Sequence, residues 1–168
     1  MTPLDDPILR IVALGAGATA TMDLWQVALR FVGVPASNFG LLGRWIGHMA
    51  RGQWSHVAIA QAAPVRGEHS IGWTAHYLVG IAFAAAWTGL AGTPWLLAPT
   101  LCPALLFGIG TVLFPLLVMQ PAMGAGMAAT RTPAPLRNSL KSLVNHTVFG
   151  FGLYLSAWAI SHTLGQIA

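Results

Sequence analysis

The sequence predicts an all-α polytopic membrane protein: a bundle of four transmembrane helices with a short amphipathic helix between the first and second crossings. Three observations predict it. Of 168 residues only 7% are charged and 55% are hydrophobic, where a soluble domain carries about a quarter charged. Four stretches, about 8–31, 71–90, 99–119 and 143–164, reach the ~20 apolar residues that a ~30 Å hydrocarbon core requires. The basic residues collect in two of the links between those stretches. At this length one integral membrane domain, residues 1–168, is the default.

The first crossing follows Asp5 and Asp6. Ala18-Thr19-Ala20 has the form of a signal-peptide cleavage site, but such peptides begin with basic residues and the apolar pattern here runs on past Ala20. The segment is therefore expected to stay as a membrane helix. It carries Asp23 and Arg30 on one face with Gln26 between them, and Ala16, Thr19 and Ala20 continue that face with small side chains.

The first link, Val32 to Ser70, holds Arg44, Arg51 and Arg66. Ser37 or Asn38 is placed to cap a short helix ending near Gly52. In it Phe39, Leu42, Ile46 and Met49 form an apolar stripe, and Arg44, His48 and Arg51 a basic one. That pattern suits a helix lying on the membrane surface with its basic face near anionic headgroups. It suits equally a helix folded back beneath the bundle. His48 and His69 are expected on solvated faces. His56, after Trp54-Ser55, either stays in the loop or folds under the bundle to join His76.

In the second crossing Gly72, His76, Gly80 and Ala84 follow at i, i+4 spacing and share one helical face. A histidine on a small-residue stripe should point into a bundle, where close backbones and a polar partner hold it. Glu68 precedes this helix and complements its positive end. A short turn, Ala91 to Ala98, leads to the third crossing, where Pro103 and Pro115 fall inside the apolar run. Pro115 has no N–H for the Thr111 carbonyl, so a kink or broken turn is expected. Thr132 and Pro135 are start signals for the helix entering the fourth crossing. Arg137 and Lys141 stand at its entrance, placed to snorkel to headgroups. Trp73, Trp87, Trp95, Trp158 and Tyr154 suit interfacial belts, and His162 the outer headgroup zone.

Four crossings put both basic links on one side of the bilayer. The turn at Ala91 to Ala98 and the C-terminal end carry no Lys or Arg, so the basic side is cytoplasmic and both termini face outward. The net charge of +4 thus reads as topology and not as nucleic-acid binding. Cys102 is the single cysteine, which excludes a disulfide framework and a thiolate cluster. Gly15 to Ala20 and Gly124 to Ala129 fit a loose GxGxxA pattern, but neither follows a strand in a βαβ unit. No nucleophile elbow, P-loop, HExxH or paired-carboxylate motif is present, so an enzymatic assignment has little support.

An ionisable group inside a bilayer costs about 2.5–3.5 kcal/mol on insertion scales, so each one is a candidate site residue. At 1.5 Å per residue His76 and His146 lie roughly 5–10 Å deep and Asp23 roughly 10–15 Å. Gln26, Gln120 and Asn145 belong to the same leaflet, and Arg30 follows on the Asp23 face. Polar groups from all four crossings therefore meet at similar depth as a candidate pocket, with Arg44, His56 and Glu68 close to it in the link.

Four readings remain open. The polar groups tie helices together, at ~0.6 kcal/mol each. His76 and His146 are axial ligands of a b-type haem, or hold a divalent metal with Asp23, although no crossing carries an HxxxH pair. Asp23 and a histidine titrate in a proton-coupled carrier or small-molecule pocket open to the cytoplasm. Or the chain is a membrane enzyme, or an accessory subunit whose glycine and aromatic faces meet a larger membrane complex. Homo-oligomerisation is equally open.

Four strings carry a resemblance: NFGLLGRWIGH (38–48), RGEHSIGWTAHYLVG (66–80), QPAMGAGMAA (120–129) and HTVFGFGLY (146–154). Together they resemble a family of small bacterial inner-membrane proteins catalogued only as a domain of unknown function. The likeness spans nearly the whole chain. It implies a bacterial four-helix inner-membrane protein and transfers no activity. Its strings contain Arg44, Glu68, His76, Gln120 and His146.

Overall fold

A computed structural model describes residues 6–165, so Asp5 and both chain ends lie outside the described residues. The Asp6 carboxylate caps the first helix, accepting from the N–H groups of Ile8 (2.7 Å) and Leu9 (3.3 Å). Pro7 takes the first helical position, where a missing N–H costs nothing. Helix α1 then runs Pro7–Phe31. Asn38 caps α2, Phe39–Met49, by accepting from Gly40 N–H at 3.0 Å. Helix α3 is Glu68–Leu97, α4 is Leu101–Thr111, α5 is the single turn Gln120–Ala122, and α6 is Pro135–Gly165.

Four helices are long and apolar enough to cross a membrane: Pro7–Phe31, Glu68–Leu97, Leu101–Ala122 and Pro135–Thr163. The all-α architecture is the expected one, with α2 between the first two spans. Boundaries shift where glycine and proline act. Gly92 interrupts α3 at φ 75° and ψ 169°, a conformation that favours glycine. Helix resumes through Pro94 to Leu97, so the turn expected from Ala91 to Ala98 is mostly helical. In the third span Pro115 opens a π-helical turn, Pro115–Met119, in which Gln120 N–H reaches back to the Pro115 carbonyl. Proline's missing donor and its ring account for the break.

Helix α6 packs along α1 and α4, and α3 along α1 and α2. Glycine makes these approaches close. A Cβ on Gly15 would lie 2.5 Å from Ile81 Cα, one on Gly108 2.5 Å from Gly150 Cα, and one on Gly152 2.8 Å from Ala18 Cα. Lipid tails are as apolar as leucine, so helices in a bilayer hold by such backbone-close van der Waals contact. Leu14, Ala18, Ala84, Ala104, Leu153 and Ala157 are fully buried along these seams.

Trp87 and Trp95, expected in interfacial belts, belong to the core instead. Their rings meet edge-on at 5.0 Å, and Trp95 Nε1 donates to the Thr100 hydroxyl at 3.2 Å. Trp158 is exposed. Helices α3 and α4 scarcely touch through their backbones. Aromatic rings bridge α3 to the third span instead, Trp87 to Phe107 at 5.1 Å and Phe83 to Phe114, just past α4, at 6.3 Å. The space left at the α2 end of that gap forms a cavity.

Candidate functional site

The cavity measures about 470 Å³ and all four spans contribute to its wall. Met22 and Gln26 come from α1, His76 and Phe83 from α3, Phe114 and Met119 from the broken third span, and Asn145 and His146 from α6. Helix α2 covers one side with Phe39 and Leu42. Of the two expectations for α2, the structure shows the folded-back one. A Cβ on Gly43 would lie 2.6 Å from Gly72 N, so the two glycines let α2 seat directly on α3.

His76 meets Asp23 at 3.0 Å, Nε2 to Oδ1, with side chains only 10% and 15% exposed. A carboxylate oxygen accepts, so Nε2 carries the proton. Phe39 stacks on the imidazole at a centroid distance of 4.2 Å, a contact that spacing within one helix does not reveal. The second Asp23 oxygen is buried with no hydrogen-bond partner.

His146 is held by the Thr111 hydroxyl, 2.8 Å from Nδ1. The same hydroxyl lies 2.6 Å from the Gly108 carbonyl, so Thr111 ties His146 to the backbone of α4. Pro115 was expected to free the Thr111 carbonyl; the group that meets His146 is the Thr111 side chain.

Other predicted residues divide between wall and scaffold. Gln26 is buried, and its Oε1 accepts from Ser37 N–H at 2.9 Å, closing the exit from α1. Gln120 Nε2 donates to Ser142 Oγ at 3.3 Å, while Gln120 Oε1 and Asn145 Oδ1 are buried without a partner. Arg30 is exposed in the last turn of α1 and does not line the cavity. Asp23 and His76 meet, but His146 bonds elsewhere. Among the described residues no three His, Cys, Asp or Glu side chains converge as a metal-binding group.

Two basic residues expected near headgroups are taken up inside the fold. Lys141 lines the cavity and its ammonium donates to the Pro35 carbonyl. Arg44 forms a two-pronged pair with Glu68, Nε to Oε2 at 2.8 Å and a terminal nitrogen to Oε1 at 2.7 Å. Its other terminal nitrogen donates to the carbonyls of Ala60 and Ala62, both at 3.1 Å. The Gly43–Gly72 approach brings Arg44 beside Glu68, which a surface helix would not do. Arg51 and Arg137 stay exposed.

His48, expected on a solvated face, is buried, with Nε2 donating to the Ala63 carbonyl at 2.9 Å and Nδ1 beside Gln53 Oε1 at 3.0 Å. The chain from Gln53 onward wraps over that face of α2 and covers it. His56 joins His48, with ring centroids 4.9 Å apart, instead of His76. Both His56 ring nitrogens are buried without a hydrogen-bond partner. Burial, and then the neighbouring His48, lower its pKa below the ordinary value of 6.5. The loop is fastened to the opposite link: His56 N–H donates to the Ala122 carbonyl at 2.8 Å and Ile59 N–H to the Met123 carbonyl at 3.0 Å. Arg44, His56 and Glu68 thus build the cover, not the cavity wall.

These features define an all-α bundle of four membrane-length helices around a cavity with polar groups at the end where the two long links lie. The chain belongs to the family described as "Protein of unknown function (DUF2938)", whose model matches residues 12–160. That bears out the resemblance read from the four strings. No curated protein and no solved structure matches the chain.

Proposed function

We propose that the protein handles a small molecule, an ion or a proton through this cavity, set in the cytoplasmic leaflet of a bacterial inner membrane, with Asp23 and His76 as its titrating pair. The observation that carries the reading is the convergence of all four spans on one cavity that holds His76, bonded to Asp23. A lone carboxylate there would be costly, whereas Asp23 with protonated His76 is neutral as a pair. A proton or another cation can then enter or leave only with compensation. Gln120, Asn145 and His146 supply hydrogen-bonding groups, and the phenylalanines and methionines supply an apolar lining, which is the composition of a small-molecule site.

A thermal-shift screen of small organic cations, anions and neutral molecules tests the reading. Ligands of the cavity should raise the melting temperature of the native protein and lose that effect in both Asp23→Asn and Asn145→Leu. Stabilisation that persists in both variants, or none with any compound, would overturn it.

A further inference from the structure

We infer that the ligand of this cavity is a small organic cation, an alkyl- or arylammonium, which binds in exchange for the proton of His76. The inference rests on the proposed function and adds the ligand's charge and the ion it displaces.

Three observations lead there. First, two acceptors at the polar end lack a donor. Gln120 Oε1 and Asn145 Oδ1 are buried with no partner, and His146 stands beside Asn145 in the same wall. Second, the wall holds four phenylalanines, Phe39, Phe83, Phe114 and Phe149. Phe83 lies 6.3 Å from Phe114 and 6.0 Å from Phe149. Ring faces attract cations, by about 0.5–1 kcal/mol when exposed and 2 or more when desolvated. Third, Asp23 is the carboxylate bonded to His76, with Tyr77 beside it. Once His76 loses its proton, Asp23 is an uncompensated charge among apolar helices, and an incoming cation restores neutrality.

The groups around His76 allow this exchange. Asp23 faces it from α1 and Phe39 from α2. Tyr77 lies on its own helix beside Asp23. His146 on α6 is within electrostatic reach. Arg44 of α2 is paired with Glu68, and the Lys141 ammonium of α6 is committed to the Pro35 carbonyl. No bond is made or broken apart from proton transfer: one cation enters and one proton leaves.

Calorimetric titration of the purified full-length protein with benzyltrimethylammonium, in two buffers of different ionisation enthalpy, tests the proposal. One proton should be released per cation bound, and affinity should fall as the pH is lowered. Asp23→Asn should weaken binding at least tenfold and abolish proton release. Phe83→Leu should weaken it about 2- to 30-fold, the range of a cation–ring contact. If Asp23→Asn melts too low to assay, the native proton count and Phe83→Leu decide. Benzenesulfonate or benzyl alcohol binding as tightly, and sensitive to Asn145→Leu, would overturn the cation inference and leave the cavity reading standing. Cation binding without proton release would overturn the exchange. Binding of none of the three probes would overturn this inference, and failure of the wider screen as well would overturn the cavity reading.

Discussion

Replacing Gly72 by alanine should unseat α2 from α3, and the sign of the effect can be worked out beforehand. Alanine is the better helix former, by about 0.8–1.0 kcal/mol, so propensity alone favours the substitution. The site refuses it. The new Cβ would lie 2.7 Å from the Phe39 carbonyl carbon and closer still to its oxygen, where ordinary contact begins at 3.4 Å. Both atoms are backbone, so no side chain can swing aside and the two helices must separate. Overpacking of this kind costs about 1–3 kcal/mol, occasionally more. Separation also draws Arg44 away from Glu68. Gly89 lies on the same helix and has nothing within 4 Å of its would-be Cβ, so Gly89→Ala keeps the propensity gain without the clash. Melting curves in detergent, followed by tryptophan fluorescence, should place Gly72→Ala below Gly89→Ala by the steric term, about 1–3 kcal/mol. Hydrogen exchange should accelerate in α2. Equal stability of the two variants would refute the glycine-contact account of how α2 is seated.

Gln26→Leu strips the Ser37 N–H of its acceptor and should cost about 1–3 kcal/mol of stability, while Val27→Leu at the exposed neighbouring position should cost little; equal losses in denaturation assays would count against the bond. Ala128 sits at φ 49° and ψ 39°, a left-handed conformation that costs a non-glycine residue about 1–2 kcal/mol. Ala128→Gly should therefore stabilise the second link by about 0.5–1 kcal/mol after the entropy of an added glycine is deducted, and a lower melting temperature would contradict this. His56 has a lowered pKa in the folded loop, so the unfolded loop binds more protons as the pH drops below about 6.5. The 53–66 loop should hold firm above that pH and loosen progressively as the pH falls towards the lowered folded value. Hydrogen exchange of the loop between pH 7.5 and 5 should show this, and His56→Asn should flatten the dependence.

Local signals carried much of the fold. The spans follow from runs of apolar residues, α2 from the Asn38 cap and its stripes, and the broken third span from Pro115, because each needs only neighbours in sequence. Depth counting also put Asp23 and His76 at comparable levels of adjacent helices, and they do meet. Side chains that act across helices were not legible in this way. Arg44 and His48 formed a basic stripe fit for headgroups, and the fold spends both on carbonyls and a carboxylate. Trp87 and Trp95 suit a belt or a core equally well, because tryptophan has an apolar body and one donor.

What the sequence by itself determined is which segments are helices, which of them are long enough to cross a bilayer, and at which level along each helix their polar residues lie. Only the tertiary structure decided what each polar group meets: Thr111 holding His146, Glu68 drawing in Arg44, Phe39 stacking on His76. Those pairings depend on how far each helix is rotated about its axis and how closely its backbone approaches the next. Here glycines set that approach on both partners at once, and hydropathy does not encode which glycine will meet which.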